Sequence, residues 1–140
     1  MPATIRAMNH FTVLSDDLDK TRKFYGAMLG LKEGKRPPFR FPGIWFYAGK
    51  HPILHVIAGR PLPQDPAGVI DHMAFTAKDL PGTAAKLKRR RIKYDLRRLA
   101  GGTQWQLFCK DPDGATVELD FDGKEKAPAG FKDGQPAMVR

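Results

Sequence analysis

The stretch HFTVLSDDL at residues 10–18 recurs as HMAFTAKDL at residues 72–80, and this repeat decides the fold. The histidine, the Asp-Leu pair and a threonine three residues further on all return at one offset of 62 residues. Such self-similarity indicates one supersecondary unit used twice. A half of about 60 residues builds only a marginal core by itself, so we expect the two halves to pack on each other or on another chain.

Each copy also ends on a possible metal ligand. His55 lies in the apolar run ILHVI, 45 residues after His10, and Glu118 lies in TVELD, 46 residues after His72. Imidazole and carboxylate groups suit Zn, Ni, Co, Fe or Mn and do not choose among them. Pairing the two halves would bring all four side chains to one place. We therefore predict a site for one divalent metal ion made of His10, His55, His72 and Glu118.

The hydrophobic pattern reads as strand, helix and three strands, twice over. Alternation puts each ligand on one face of its strand and the more apolar residues on the other face, which would meet the helices. We predict an α+β fold of two βαβββ modules, with mixed sheets curling into a barrel-like metal cleft. The predicted parts are module 1 at about 7–58, a Pro/Gly-rich linker at 59–68, module 2 at about 69–121 and a polar tail at 122–140.

Two helices are predicted, one in each module. Helix 18–29 has N-cap candidates before it and Gly30 as its stop, and a second helix runs from about residue 80 to 91. The second helix carries much of the formal net charge of +9. That charge would suit an anionic partner, but no nucleic-acid-binding motif accompanies it, and a solvated helix face explains it as well. We expect neither a nucleic acid nor a membrane as partner, since no apolar run reaches spanning length.

The only cysteine, Cys109, excludes a disulfide framework within the chain and fits a reducing compartment, so we expect a cytoplasmic protein. Its neighbours include no acid-base partner, and a buried thiol of this kind is usually inert. We therefore predict that the chemistry of this protein does not use Cys109.

Four segments together resemble the glyoxalase, bleomycin-resistance and extradiol-dioxygenase superfamily, also called the vicinal oxygen chelate fold. They are NHFTV at 9–13, FYGAMLGL at 24–31, DHMAF at 71–75 and DPDGATVEL at 111–119. The resemblance spans residues 7–121. It implies paired βαβββ modules, a divalent metal held by the first and last strands of each module, and commonly a homodimer. His10, His55, His72 and Glu118 fall on the four metal positions of that family.

The activity within this superfamily stays open at the level of sequence. Glyoxalase I, the lactoylglutathione lyase, usually has Glu or Gln where this chain has His55, and bacterial members have an arginine where it has Leu14. Extradiol dioxygenases resemble His10, His72 and Glu118 better, but they have a catalytic tyrosine at the position of Phe108. Fosfomycin thiol transferases share His10 and Thr12 but also have that tyrosine. Bleomycin-binding members lack the metal ligands.

We expect a metal-dependent enzyme that polarises two neighbouring oxygens of a small substrate and stabilises an enolate-like intermediate. Glu118 or His55 would move the proton. A lyase or isomerase is the first interpretation, and a ring-cleaving dioxygenase is the second. A small-molecule binding or resistance protein without turnover is the alternative outside catalysis.

Overall fold

The computed structural model describes residues 3–132, so the part of the predicted tail at 133–140 lies outside the described residues. The chain divides into two compact units, residues 1–62 and residues 63–140. The boundary falls inside the predicted linker at 59–68. Among the described residues, no helix has both the length and the apolar character that a membrane span requires.

Unit 1 is a four-stranded mixed sheet with one helix. Its elements are β1 (Phe11–Ser15), helix α1 (Leu18–Thr21, continuing as the π-helical segment Arg22–Met28), β2 (Lys32–Gly34), β3 (Gly43–Ala48) and β4 (His51–Ala58). The strand order is β1-β4-β3-β2, with β1 parallel to β4 and the other pairs antiparallel. Only the β1 connection needs a helical crossover, as its parallel pairing requires.

Unit 2 repeats this topology. Its elements are β5 (Met73–Thr76), α2 (Leu80–Arg89), β6 (Tyr94–Arg98), β7 (Gln104–Lys110) and β8 (Thr116–Asp122). The strand order is β5-β8-β7-β6, again with one parallel pair, β5 and β8. The predicted α+β class with two βαβββ modules is confirmed. Neither sheet closes into a barrel, because each keeps two edge strands.

Helix α1 has the predicted extent but not the predicted regularity. Asp17 caps its start by accepting from the backbone N–H groups of Asp19 and Lys20. A wide turn follows, in which Leu29 N–H donates to Phe24 five residues back, at 3.0 Å. The wide turn lets the adjacent rings of Phe24 and Tyr25 both face the core. Gly30 then ends the helix with φ +86°.

Helix α2 packs one apolar face and leaves its basic residues in solvent. Leu80, Ala84 and Leu87 are buried, whereas the lysines and arginines of the segment 86–91 are exposed. This arrangement matches the solvated-face interpretation of the charge cluster. The helix begins at Asp79, whose side chain accepts from Gly82 N–H at 3.1 Å.

Within the described residues, the polar stretch after β8 packs against the rest of unit 2. The Glu125 carboxylate accepts from the backbone N–H groups of Asp79 and Leu80 at 3.2 and 2.6 Å. Its backbone carbonyl accepts from the Trp105 indole at 3.0 Å, and Phe131 packs edge-on against the same indole. The first part of the predicted tail therefore caps helix α2 and covers strand β7.

Candidate metal centre

The two units place their candidate ligands at equivalent positions in the sheet. In unit 1, His55 of β4 lies beside Thr12 of β1 and Trp45 of β3. In unit 2, Glu118 of β8 lies beside Ala74 of β5 and Phe108 of β7. His55 and Glu118 therefore have equivalent neighbours. On one side lies the residue two positions after His10 or His72, and on the other side lies an aromatic residue. The repeat in the sequence is therefore a repeat of strand register.

The alternation predicted that His10 and His72 lie within strands, but in the structure they do not. The strands begin later, at Phe11 and Met73, so each histidine is the last residue before its strand. The segments before them, where Met8 and Ile70 are exposed, have no ladder partner in the sheet. The prediction that these histidines lie within the first strand of each module was therefore wrong, because the parallel partner strand pairs only from the residue after the histidine.

Unit 1 brings its two candidate ligands into a stack of three rings. The imidazoles of His10 and His55 lie 3.7 Å apart and nearly parallel, and Trp45 covers the other side of His55 at 4.0 Å. Burial, together with the neighbouring His10, lowers the pKa of His55. The His55 Nε2 atom is buried and has no hydrogen-bond partner among the described residues. A neutral imidazole with an unused ring nitrogen is the form that binds a metal.

Unit 2 brings its two candidate ligands into direct contact. His72 Nε2 lies 3.2 Å from Glu118 Oε1, and only 6% of the Glu118 surface is exposed. Asp120, two residues on and on the same strand face, is the second carboxylate here. Burial first, and the neighbouring Glu118 second, raise the pKa of Asp120 to about 6. The concentration of buried negative charge favours a cation at this place.

Two residues that the sequence analysis did not assign hold the histidines. Asn9 Oδ1 lies 2.7 Å from His10 Nδ1, and Asp71 Oδ2 lies 2.6 Å from His72 Nδ1. An oxygen acceptor at Nδ1 fixes the ring and its tautomer and leaves Nε2 for a metal. The signal was present in the sequence, because Asn-His and Asp-His stand at the same repeat offset.

The chemistry of these donors fits a divalent metal. If His72 donates its Nδ1–H to Asp71 in a hydrogen bond, the lone pair of Nε2 faces the Glu118 carboxylate, and two acceptors approach this closely only with a proton or a cation between them. Two donors bound to one ion at roughly 2.1 Å lie about 3.0–3.4 Å apart, which matches the 3.2 Å between these atoms.

The structure thus brings the candidate ligands together in two pairs, one in each unit. Within neither unit do three or more His, Cys, Asp or Glu side chains of the described residues form a ready metal cluster. A site of four ligands needs both pairs, and it stays a prediction. His51 is not one of the candidate ligands. It is the first residue of β4, where its Nε2 lies 2.7 Å from the Asn9 carbonyl oxygen.

Cys109 lies apart from this chemistry. The thiol is buried on β7, and burial, with a contribution from Asp111, raises its pKa to about 12. A thiol in this state holds its proton at neutral pH and is a poor nucleophile. This agrees with the expectation that Cys109 is inert.

Comparison with known proteins gives the same fold. The model of the Glyoxalase/Bleomycin resistance protein/Dioxygenase superfamily matches residues 7–119. The chain is 32% identical over 126 residues to Glyoxylase I 4 of Arabidopsis thaliana, covering 84% of this chain and 72% of the relative. The crystal structure of a glyoxalase/dioxygenase from Nostoc punctiforme is similar with a TM-score of 0.70 at 21% identity, covering 87% and 94% of the two chains.

A second similar structure contains a metal. It is a mutant of the fosfomycin resistance protein FosX from Listeria monocytogenes, complexed with Mn(II) and 1S,2S-dihydroxypropylphosphonic acid. Its TM-score is 0.68 at 17% identity, covering 85% of this chain and 94% of FosX. The family match over most of the chain, the Arabidopsis relative and the repeated βαβββ topology lead to one conclusion: the chain belongs to the Glyoxalase/Bleomycin resistance protein/Dioxygenase superfamily.

Proposed function

We propose that this protein is a divalent-metal-dependent enzyme that acts on a small oxygen-bearing substrate. The observation that carries the proposal is the pair of matched half-sites, in which each histidine has its Nδ1 held by an oxygen and its Nε2 left for a ligand role. The proposed ligands to one ion are His10, His55, His72 and Glu118. The similarity to FosX, whose structure contains Mn(II), also supports a metal.

Each proposed ligand has a role that its surroundings support. A bound divalent cation would supply Lewis-acid polarisation of neighbouring substrate oxygens and stabilise negative charge that develops on them. Asn9 and Asp71 orient the histidines. Glu118 and His55 are the proposed proton carriers, because Glu118 is buried beside His72 and His55 has a buried Nε2 with no hydrogen-bond partner among the described residues. Trp45 and Phe108 flank these two residues and limit the access of water.

Lyase or isomerase chemistry through an enolate-like intermediate is the first candidate reaction. The name of the Arabidopsis relative, Glyoxylase I 4, supports this candidate. His55 and Leu14 differ from the residues usual in glyoxalase I, so the substrate that we propose is a small oxygen-bearing molecule and not a glutathione adduct in particular.

A ring-cleaving dioxygenase is the second candidate. Two histidines and one carboxylate, here His10, His72 and Glu118, are the ligand set of non-haem Fe(II) oxygenases. The lowered pKa of His55 keeps its imidazole neutral, as a base beside such a site would need. A binding protein that uses the same residues without turnover is the third candidate.

Metal analysis of the full chain, purified without chelator, tests the proposal. We expect one divalent ion per chain. Nickel, cobalt or zinc would favour the lyase, and iron would favour the dioxygenase. His55→Ala and Glu118→Gln should each lower the metal content, because the proposed site takes ligands from both units. Glu33→Gln, which changes an exposed carboxylate paired with Arg22, is the control and should keep the metal.

The outcomes separate the alternatives. Loss of metal in Glu118→Gln but not in His55→Ala would mean that unit 2 binds the ion without unit 1, and the four-ligand site would be wrong. Absence of metal from the unmodified protein, even after addition of each ion, would overturn the proposed enzyme and leave the binding protein.

We also propose a homodimer in the cytoplasm, with no nucleic acid or membrane as partner.

A further inference from the structure

The face of the second sheet that carries Glu118 extends over all four strands. Register places Asp95, Phe108, Glu118 and Ala74 in one row across β6, β7, β8 and β5. The next row consists of Arg97, Gln106, Asp120 and Thr76. Side chains of both rows point to one side, because residues two apart in a strand share a face. The candidate ligand Glu118 therefore shares its face with two cations, Lys110 and Arg97. Arg97 lies two strands across and one row along, about 12 Å away between backbones.

Arg97 is held in one position by two neighbours. Its Nη2 donates to the Asp95 carboxylate at 3.0 Å, and only 5% of the Asp95 surface is exposed. Its guanidinium carbon lies 4.9 Å above the ring of Phe108. The ion pair with a buried carboxylate and the stacking on an aromatic ring restrict the rotamers of Arg97. The side chain therefore loses little conformational entropy when it binds an anion.

The guanidinium of Arg97 keeps one donor without a partner. Its Nε is buried and lacks a hydrogen-bond partner among the described residues, although a buried donor normally has one. Of the side chain, 40% is exposed, so the group is open to solvent on one side. The planar shape of a guanidinium matches the two oxygens of a carboxylate.

Phe108 connects this arginine to the candidate metal centre. The Phe108 and His72 rings pack edge to face with 5.5 Å between their centroids, and the Arg97 guanidinium stacks on the Phe108 ring. The ring of Phe108 thus contacts both His72 and Arg97, so a single side chain separates the guanidinium from the His72 and Glu118 pair.

We propose that Arg97 binds the carboxylate of an acidic substrate, with Asp95 as the positioning residue for Arg97. The statement about substrate class rests on the proposed function, whereas carboxylate binding at Arg97 does not. The neighbouring residue offers a contrast within one strand. Arg98 also stacks on an aromatic ring, that of Trp105, but it lies on the opposite face and its Nη2 donates to the Gly123 carbonyl.

Nuclear magnetic resonance of the arginine Nε–H groups, with benzoate as the probe, tests this site. The full chain is titrated both as purified and after metal removal, and benzamide serves as the neutral isostere. The Arg97 signal is identified by its loss in Arg97→Lys. We expect a saturable shift of this signal with benzoate, no such shift with benzamide, and no shift of the Arg98 signal. Benzoate affinity, read in every variant from the broadening of the benzoate signals, should fall at least tenfold in Arg97→Lys, which keeps the charge but not the fork, and stay unchanged in Arg98→Lys.

A shift of equal size with benzamide, an unchanged affinity in Arg97→Lys, or no saturable shift in either preparation would overturn the proposal. Its failure is distinct from failure of the proposed function. A protein that binds metal as proposed but gives no benzoate shift refutes only the carboxylate site. If the protein binds no metal but gives the benzoate shift, only the proposal of a metal-dependent enzyme is refuted.

Discussion

At the scale of single residues, the side-chain oxygens of Asn9 and Asp71 set the ring orientation and the tautomer of His10 and His72. Replacing Asp71 with Asn would weaken the acceptor at His72 Nδ1 and reduce the basicity of Nε2. We expect Asp71→Asn to lower metal affinity about 10- to 100-fold without loss of fold. Competition with a chelator of known affinity measures this.

The control for Asp71→Asn is Asp65→Asn, which makes the same charge change at an exposed residue of the predicted linker, where the side chain accepts from Ala67 N–H. It should keep the metal affinity of the unmodified protein. Equal affinities in the two variants would mean that Asp71 does not support His72.

A second prediction at this scale separates metal chemistry from thiol chemistry. Glu118→Gln removes a charged ligand and a proposed proton carrier, so we expect it to abolish any turnover that is found. Cys109→Ser should leave the rate within a few-fold, because the buried thiol is protonated at neutral pH. The measurement is steady-state kinetics of both variants on one substrate. An active Glu118→Gln protein beside an inactive Cys109→Ser protein would refute the proposed mechanism.

The state of Cys109 can be measured without a substrate. The folded thiol should react with a disulfide reagent at pH 8 roughly 100-fold or more slowly than the thiol of the urea-unfolded chain, since its pKa is raised to about 12 and burial blocks access. Comparable rates in the two states would show that β7 opens easily.

At the scale of elements, the start of helix α2 depends on a residue 45 positions further along the chain. The Glu125 carboxylate accepts from the N–H groups of Asp79 and Leu80, which the helix itself cannot satisfy. We expect Glu125→Ala to lower the free energy of unfolding by about 1 kcal/mol, as the loss of a helix cap does. Urea denaturation measures it. The exposed neighbour Lys126, changed to Ala, should leave that free energy within about 0.5 kcal/mol.

At the scale of the whole molecule, the prediction concerns assembly. The superfamily commonly forms dimers, and each module of about 60 residues has little core of its own. We expect sedimentation at micromolar concentration to give a species of twice the chain mass of 15.6 kDa. A species of 15.6 kDa alone would contradict the homodimer, and the metal site would then have to form within one chain.

Local sequence determined the architecture of each unit. Alternating and helical patterns predicted the order of strands and helices, and Gly30 marked a helix end that the structure confirms with a positive φ. The repeat pointed to His10, His55, His72 and Glu118 as candidate ligands, because positions equivalent in a repeat occupy equivalent places in the sheet. The structure confirms this equivalence through the matched registers of His55 and Glu118.

Only tertiary structure decided the contacts between distant residues. Strand pairing starts at Phe11 and Met73 because a ladder needs a partner, and the hydrophobic pattern of one segment does not contain that partner. The stacking of Trp45 on His55, the helix cap at Glu125 and the position of Arg97 over Phe108 join residues that are separated by 10 to 46 positions and carry no common motif. Such contacts arise from register and packing, which the sequence specifies only through the folded chain as a whole.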